Sequence, residues 1–429
     1  MNNDILTIVP GLVGGILPAI PAKAEAHRTL IAAALADRPT LVQGISGEIS
    51  ADISATLQVL SALGMTFENT SDGLRVQPLT SIPDLACADC GESGSTLRFI
   101  LPVIAALADR DQEITVCGRG RLPERPLKEL LAVLRQHGVT VVPERLPLRI
   151  SGGLTAGDYE MPGNVSSQYI SGLLFALPLL ECESQILLTT PLESAGYVEM
   201  TLQTLEKFSV QVETISGGWR IPGRQQYRSP GIFVVGGDWS NAALWLAAGA
   251  MALPVTVTGL DLCSSQGDRA VVEILRRFGA KVECKGDSVR VSPAELTGIT
   301  LDVRDTPDLL PVLAVVAAGA SGVTRFTNAA RLRLKESDRL ATVAALLRAL
   351  GGDVQEYPDA LEVTGHGSLM GGRCDAANDH RLVMAATLAS VLAKDEIVLS
   401  DAHAVQKSYP GLLEDFRRLG GKFSLRSAG

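Results

Sequence analysis

Six segments of the sequence share one pattern, in which an apolar helix ends at a small residue and leads directly into a strand. "LQVLSALGMTF" and "VEILRRFGAKV" are two examples. The small residue follows the last apolar position, where glycine commonly ends a helix. These residues recur about every 70 positions: Gly64, Gly138, Ser209, Gly279, Gly351 and Gly420. The chain is therefore predicted to contain six copies of one supersecondary unit.

Each repeat also contains an earlier helix that is apolar on nearly every face, such as "PDLLPVLAVVAAGA". A helix without a polar face has to be buried. One unit is thus a buried helix, a strand, an amphipathic helix and closing strands, which predicts an α/β fold with helices inside and sheets outside. Six units around one axis would pack poorly, so we expect two lobes of three units, with a crossing near "VVGGDWSN" (234–241).

Composition excludes several classes of partner. A net charge of −9 and 4% aromatic residues argue against nucleic acid and anionic lipid surfaces. No apolar stretch reaches the roughly 18 residues of a membrane span, and the first residues lack the pattern of a signal peptide, so we expect a cytoplasmic protein. The seven cysteines are expected to be reduced, and the C-x-x-C at 87–90 has no second pair, so no metal site is predicted.

Polar clusters precede all six buried helices. Helix N-termini with serine or glycine are ready anion sites. Capping also predicts serine, aspartate and asparagine there, but it does not call for Arg28 or Arg381. The clusters are His27 and Arg28, Gly94 and Ser95, Ser166 to Gln168, Asp238 and Ser240, Asp308, and Asn378 to Arg381.

Further polar residues lie where strands end, and one of them is a cation in an unusual place. Arg339 falls in the first turn of a predicted helix, at the wrong end of the helix dipole, so it needs a partner or a ligand. If the buried helices of each lobe point the same way, these groups meet in a cationic cleft between the lobes. Such a cleft suits a small substrate with several phosphates or carboxylates and needs no metal. The strand-end residues are Arg119, Arg121, Ser194, Tyr197, Lys335 to Arg339, and Lys407.

Several long segments resemble the 5-enolpyruvylshikimate-3-phosphate synthases of the enolpyruvyl transferase family. They are "GESGSTLRF", "GRLPERPLKEL", "GNVSSQYISGLLFALPLL", "PDLLPVLAVVAAGA", "RLKESDRLAT", "NDHRLVMAATL" and "KSYP", in order along nearly the whole chain. The resemblance implies two lobes of three βαβαββ-type units with buried parallel helices. It places a continuous lobe at 19–237, a discontinuous lobe at 1–18 plus 238–429, and the active site between them.

The resemblance also implies an activity, that of a 3-phosphoshikimate 1-carboxyvinyltransferase. The enolpyruvyl group of phosphoenolpyruvate moves to the 5-hydroxyl of shikimate 3-phosphate through a tetrahedral intermediate, and phosphate is released. No cofactor is implied, and we expect a monomer. Asp308 would be the base on the 5-hydroxyl. Glu336, helped by Lys23, would be the acid and base at the methylene carbon.

Binding roles follow from the same resemblance, residue by residue. The implied phosphoenolpyruvate ligands are Lys23, Gly94, Arg121, Gln168, Arg339, Arg381 and Lys407. The implied shikimate 3-phosphate ligands are Arg28, Ser166, Ser167, Gln168, Ser194, Tyr197, Asp308 and Lys335.

The chain departs from the family pattern in "IPAKAEAHR", where Ala22 and Ala24 replace expected serines, and in "ESAGY", where Ala195 replaces a common lysine. These changes predict weaker binding of the acceptor. Two other interpretations stay open. One is the sister enzyme that acts on UDP-N-acetylglucosamine, although its loop cysteine is absent from "GRGRLPERP". The other is a non-catalytic protein that kept the anion-binding cleft.

Overall fold

The chain divides into two compact units in a computed structural model that describes residues 4–45, 47–83 and 87–426. Unit 1 consists of Met1–Ile20 and Gly236–Gly429, and unit 2 of Pro21–Val235. Both junctions lie two residues from the positions expected from the sequence. Each unit has its own apolar core.

The described residues form twelve α-helices and 24 strands. The helices are α1 (Lys23–Ala34), α2 (Ala51–Ala62), α3 (Gly94–Leu107), α4 (Lys128–Gln136), α5 (Ser167–Ala176), α6 (Ala195–Lys207), α7 (Trp239–Met251), α8 (Val271–Phe278), α9 (Leu310–Gly319), α10 (Arg339–Ala349), α11 (His380–Ala389) and α12 (Leu412–Arg418). The strands are β1 (Ile5–Val9), β2 (Gly15–Pro18), β3 (Thr40–Gln43), β4 (Thr66–Thr70), β5 (Gly73–Gln77), β6 (Cys87–Asp89), β7 (Glu113–Cys117), β8 (Thr140–Val142), β9 (Leu148–Ser151), β10 (Asp158–Met161), β11 (Ser184–Leu188), β12 (Glu213–Ile215), β13 (Gly218–Ile221), β14 (Ile232–Val234), β15 (Val255–Thr258), β16 (Lys281–Lys285), β17 (Ser288–Ser292), β18 (Thr300–Asp302), β19 (Ser321–Thr327), β20 (Asp353–Glu356), β21 (Leu361–His366), β22 (Gly372–Asp375), β23 (Ile397–Ser400) and β24 (Lys422–Arg426).

The strands form six four-stranded sheets with one shared topology, three in each unit. In the sheet β10-β11-β13-β12, the first two strands are parallel and the other neighbours are antiparallel. Helix α5 connects the parallel pair, and α6 leads to the closing hairpin. The predicted α/β fold of six βαβαββ-type units is therefore confirmed.

The chain ends complete one of these sheets. Strand β1 lies between β23 and β24 and is antiparallel to both, so the first strand supplies the position that the last repeat lacks. Each of the two connections between unit 1 and unit 2 also includes a strand that completes a sheet. Strand β2 pairs in parallel with β15 of unit 1, and β14 pairs in parallel with β3 of unit 2. At each connection the strand pairs within one unit, and the helix that follows it in the chain belongs to the other unit.

All six small residues at the predicted helix ends have the left-handed backbone that ends a helix at glycine. Their φ angles are 105° at Gly64, 90° at Gly138, 61° at Ser209, 107° at Gly279, 83° at Gly351 and 101° at Gly420. The repeat period in the sequence thus marks one recurring backbone conformation. Ser209 adopts it despite its side chain, because the repeat requires a turn there.

The predicted apolar helices form the interiors of both units: α1, α3 and α5 in unit 2, and α7, α9 and α11 in unit 1. Every residue from Leu310 to Ala318 in α9 is buried. In unit 2, α3 and α5 approach closely at Gly172, where a Cβ atom would lie 2.3 Å from the carbonyl oxygen of Arg98. A backbone carbonyl cannot move aside as a side chain can, so this contact fixes the spacing of two central helices.

Gly172→Ala should therefore force α3 and α5 apart and lower the free energy of unfolding by about 1–3 kcal/mol, the usual cost of overpacking. Urea unfolding followed by circular dichroism would measure it. Gly11→Ala is the matched control, because nothing lies within 4 Å of a Cβ built there. Equal stability of the two variants would contradict the close approach of the helices.

Candidate active site

Arg339 is the buried centre of the polar interior of unit 1, with 1% of its surface exposed. Its guanidinium donates to Asp308 Oδ1 and to Glu336 Oε2, both at 2.6 Å. It also donates from Nε to Asp379 Oδ2 at 2.8 Å and from Nη2 to Asp379 Oδ1 at 3.3 Å. Four of its five N–H groups are thus directed at carboxylates, which explains a cation at the unfavourable end of a helix.

This arrangement determines how the neighbouring groups ionise. Burial alone would raise the pKa of Asp308, but Lys335, Arg339 and Arg381 hold that pKa well below its usual range. Burial lowers the pKa of Lys335, whose Nζ lies 3.6 Å from Asp308 Oδ1. Burial would also lower the pKa of Arg339, but Asp379, Glu336 and Asp308 raise it well above the usual value. Asp308 is therefore a carboxylate throughout the physiological range, and Arg339 is a permanent cation.

Arg381 is a buried cation of unit 1, and one of its N–H groups has no hydrogen-bond partner in the part of the chain that the structure describes. It lies in the first turn of α11 and is 3% exposed. Nη1 donates to the backbone carbonyl of Ser240 at 3.0 Å, and Nη2 lies 3.7 Å from Asp308 Oδ2. Nε has no hydrogen-bond partner among the described residues. A buried guanidinium with an unused N–H is suited to bind an anion.

Lys407 is also largely buried, with 8% exposed, and follows the last buried helix of unit 1. Its Nζ donates to the backbone carbonyl of Asn378 at 2.6 Å. That carbonyl belongs to the turn before α11, which ties Lys407 to the segment that carries Arg381.

In unit 2, Gln168 is fixed at the N-terminus of α5. Arg98 Nη1 donates to Gln168 Oε1 at 2.9 Å, and Gln168 Nε2 donates to the hydroxyl of Ser95 at 2.8 Å. The hydroxyl of Ser166 caps α5 by accepting from the backbone N–H of Gln168 at 3.3 Å. Ser167 is the first residue of the helix and is buried. The starts of α3 and α5 are therefore joined by one hydrogen-bond network.

The loop after β7 contains three arginines: Arg119, Arg121 and Arg125. Arg121, named by the resemblance, is exposed, and its Nε lies 3.7 Å from Glu124 Oε2. Arg125 instead lies against the start of α3, because a Cβ atom at Gly94 would be 2.5 Å from Arg125 Nη1 and 2.6 Å from Arg98 Nη1. Only glycine leaves room for two guanidinium groups there. The structure thus places Arg125 beside Gly94.

Lys23 begins α1, and its Nζ donates to Asp52 Oδ2 at 2.7 Å. Both side chains are mostly buried, with 18% and 14% exposed. Asp52 lies in the first turn of α2, where a carboxylate is favoured by the helix dipole. This pair holds the ammonium group of Lys23 at the N-terminal ends of two helices.

Arg28 is committed to contacts inside unit 2 and is 2% exposed. It donates to Thr201 Oγ1 at 2.8 Å, to Ser171 Oγ at 3.4 Å, and to the carbonyls of Ala24 and Tyr197, both at 2.7 Å. Burial lowers its pKa to about 10. Arg28 therefore packs α1 against α5 and α6.

Ser194 and Tyr197 lie at the start of α6. Ser194 precedes the helix with a left-handed backbone, at φ 56°, and is 3% exposed. The ring of Tyr197 has its centroid 5.9 Å from the guanidinium carbon of Arg28. The alanines that depart from the expected pattern lie before α1 and at the start of α6. Ala22 precedes α1 without a side-chain cap, and Ala195 is the first residue of α6.

Comparison with known proteins decides the family. The family model for EPSP synthase (3-phosphoshikimate 1-carboxyvinyltransferase) matches residues 10–416. The chain belongs to the EPSP synthase family. A 3-phosphoshikimate 1-carboxyvinyltransferase from Clostridium kluyveri is 40% identical, and the match covers 99% of both chains. EPSP synthase from Acinetobacter baumannii has a TM-score of 0.82 at 25% identity, over 99% of this chain and 100% of that one.

The enolpyruvyl transferase NikO from Streptomyces tendae also matches, with a TM-score of 0.82 over the full length of both chains. Its identity is 19%, so it shows the fold alone. Within the described residues, no group of side chains has the composition of a metal site, and no helix is both long and apolar enough to cross a bilayer.

Sequence reasoning gave no role to three residues that the structure brings into these polar networks: Arg98 and Arg125 in unit 2, and Asp379 in unit 1. Arg98 could have been found, because it lies four residues after Gly94 and so on the same face of α3. Asp379 was part of a polar cluster but had no assigned role, although it caps α11 by accepting from the backbone N–H of Arg381 at 2.9 Å. No spacing rule separates Arg125 from Arg121 in an irregular loop.

Arg339→Ala should lower the free energy of unfolding of unit 1 by about 3–5 kcal/mol, because it leaves buried carboxylates without their cation. The deficit should shrink as the pH falls toward 4, because protonation removes the unpaired negative charges. Urea unfolding at several pH values would measure both effects. Arg325→Ala is the control, since its ion pair with Glu362 is half exposed and contributes about 0–1 kcal/mol. Equal effects at neutral pH would contradict the central role of Arg339.

Proposed function

We propose that this chain transfers the enolpyruvyl group of phosphoenolpyruvate to the 5-hydroxyl of shikimate 3-phosphate and releases phosphate. The observation that carries the proposal is the cluster of Asp308, Lys335, Glu336, Arg339 and Arg381 in unit 1. It combines two carboxylates suited to proton transfer with three cations suited to anionic substrates. Membership of the EPSP synthase family supports the choice of reaction.

In the proposed mechanism, Glu336 delivers a proton to the methylene carbon of phosphoenolpyruvate, with help from Lys23. The 5-hydroxyl attacks C2 and loses its proton to Asp308, which gives the tetrahedral intermediate. Glu336 then removes a proton from the new methyl group while the C2–O bond to phosphate breaks. One proton enters and one leaves at the same carbon, so a single carboxyl group can serve both steps.

The ionisation of Asp308 bears on this role. A general base works best with a pKa near the operating pH, and the cations around Asp308 hold its pKa far below that. Anionic substrates that bind to Lys335 and Arg381 would offset part of the positive charge that acts on Asp308. The pKa of Asp308 would then rise, and the carboxylate would become a stronger base when the substrates are in place.

The donor phosphate and carboxylate are assigned to a revised set of ligands. Arg125 replaces Arg121, because it lies beside Gly94. The Nε group of Arg381, which has no partner among the described residues, supports Arg381 as a ligand of phosphoenolpyruvate. Arg339 can bind phosphoenolpyruvate only with the N–H group that does not already donate to a carboxylate. The full proposed donor set is Lys23, Gly94, Arg125, Gln168, Arg339, Arg381 and Lys407.

The acceptor is assigned mainly to the helix starts of unit 2, where serine hydroxyls and backbone N–H groups suit a phosphate. Arg28 would act through packing, by holding Tyr197 and the first turn of α1. The proposed acceptor set is Arg28, Ser166, Ser167, Gln168, Ser194, Tyr197, Asp308 and Lys335. The proposal includes a cytoplasmic monomer that needs no cofactor and no nucleic-acid or membrane partner.

Release of phosphate from phosphoenolpyruvate tests the function directly, first with shikimate 3-phosphate and then with UDP-N-acetylglucosamine as acceptor. We expect release with shikimate 3-phosphate only. The second acceptor is included because it is the substrate of the sister enzyme, an alternative that the sequence leaves open. Release with neither acceptor would favour a binding protein, which the alanines at 22, 24 and 195 leave as the second candidate.

Glu336→Gln keeps the size of the side chain but removes its titrating group. It should lower kcat by about 10²- to 10⁴-fold, the range typical of lost acid–base catalysis, and leave the KM for phosphoenolpyruvate within a fewfold. Steady-state kinetics would measure both. Glu356→Gln is the control, since that carboxylate pairs with Arg333 outside the cluster. Turnover by Glu336→Gln at the parent rate would remove Glu336 from the mechanism.

Arg125→Ala should raise the KM for phosphoenolpyruvate by about tenfold or more, because a charged hydrogen bond contributes roughly 1.5–3 kcal/mol. Arg121→Ala is the matched comparison from the same loop, and we expect its KM to stay within twofold of the parent. The reverse ranking would restore Arg121 to the site and place Arg125 outside it.

A further inference from the structure

A buried carboxyl group that the proposed mechanism does not use lies next to the cluster in unit 1. Asp268 belongs to the short 3-10 helix Gly267–Ala270 and is 1% exposed. The hydroxyl of Ser240 donates to its Oδ2. Its other oxygen, Oδ1, has no hydrogen-bond partner among the described residues. Burying an ionised carboxylate with an oxygen that accepts no hydrogen bond costs more than burying the neutral, protonated carboxyl group.

Ser240 links this carboxyl group to Arg381. Its hydroxyl is bonded to Asp268, and its backbone carbonyl accepts from Arg381 Nη1 at 3.0 Å. The same guanidinium lies 3.7 Å from Asp308 Oδ2. Asp268 and Asp308 therefore act on one buried cation, and a negative charge on Asp268 would compete for it with any bound anion.

Burial and the surrounding charges bring the pKa of Asp268 close to neutral pH. Burial, and next the charge of Asp308, raise the pKa of Asp268 to about 7 against the opposing charge of Arg381. The hydrogen bond from Ser240 lowers it, and Asp238, which caps α7, raises it. The other charged residues on this segment and on α8 are exposed and project to solvent: Arg269, Glu273, Arg276 and Arg277.

We propose that Asp268 is a positioning residue that takes up a proton when an anion binds at Arg381. With the proton in place, the charge of Arg381 is available to the anion, and without it the carboxylate of Asp268 competes. Asp268 takes no part in the proposed proton transfers, so its protonation state affects the affinity for the donor substrate and not the chemical step. The inference rests on the proposed function only for the identity of that anion, phosphoenolpyruvate.

The direction of the pH dependence follows from linkage. A bound anion adds negative charge near Asp268 and so raises the pKa of Asp268 above its value in the empty site. Affinity is then constant at low pH, where Asp268 is protonated in both states. It falls as the pH rises above about 7, because the empty site loses a proton that the occupied site keeps.

Sulfate is the probe, because it mimics a phosphate dianion but does not itself titrate between pH 6 and pH 9. Its dissociation constant would be measured by calorimetry on the full chain, in buffers of different ionisation enthalpy so that proton uptake is counted. For the parent protein we expect proton uptake near pH 7.5 and a dissociation constant that rises about fivefold or more between pH 6.5 and pH 8.5.

Asp268→Asn keeps the hydrogen bond from Ser240 and cannot titrate. It should bind sulfate with the low-pH affinity of the parent at every pH and without the proton uptake. Ser240→Ala should keep the titration but move its midpoint to higher pH, because the lost hydrogen bond favours the carboxylate. Asp415→Asn, which changes another buried carboxyl group of unit 1, is the control and should keep the parent profile.

Parent-like pH dependence in Asp268→Asn would overturn the proposal and assign the titration to another group, such as Lys335. A flat parent profile, or an unmoved midpoint in Ser240→Ala, would overturn it as well. The binding measurement does not require turnover. A chain that binds sulfate as expected but releases no phosphate from phosphoenolpyruvate would therefore contradict the proposed function and leave this inference standing.

Discussion

The polar interior of unit 1 depends on the charge balance around Arg339. Three carboxylates, from Asp308, Glu336 and Asp379, meet one guanidinium that is 1% exposed. Buried charges of one sign cannot be brought together without a counter-charge. The groups come from the start of α9, the start of α10 and the cap of α11, so the ion pairs also fix how the ends of these elements meet.

The repeat explains why such groups gather at helix starts. Each of the six repeats buries an apolar helix whose first turn leaves backbone N–H groups without partners inside the helix. Those N–H groups need acceptors, and serine and aspartate supply them in α3, α5, α7 and α11. The same geometry that satisfies the helix favours anions. Lys23 and Arg381 add cations at the starts of α1 and α11.

The sequence predicted what depends on neighbouring residues and missed what depends on distant ones. The helix ends at Gly64 and Ser209 follow from a local backbone requirement, and the pattern of apolar residues marks it. By contrast, Arg28 bonds to Thr201, which lies 173 residues away, and no local pattern shows that its donors are used. The choice between Arg121 and Arg125 likewise depends on how an irregular loop folds against Gly94.

The internal ion pairs give substrate binding a chemical consequence in the proposed reaction. In the structure, the cations of unit 1 are engaged with the carboxylates that are assigned to proton transfer. A phosphate or carboxylate group of a substrate would take over part of that cationic charge. Asp308 would then hold a proton more readily, because it would lose part of the positive charge that lowers its pKa. A carboxylate that is a weak base in the empty site would thus become a stronger base when the anions bind, which would couple substrate binding to catalysis.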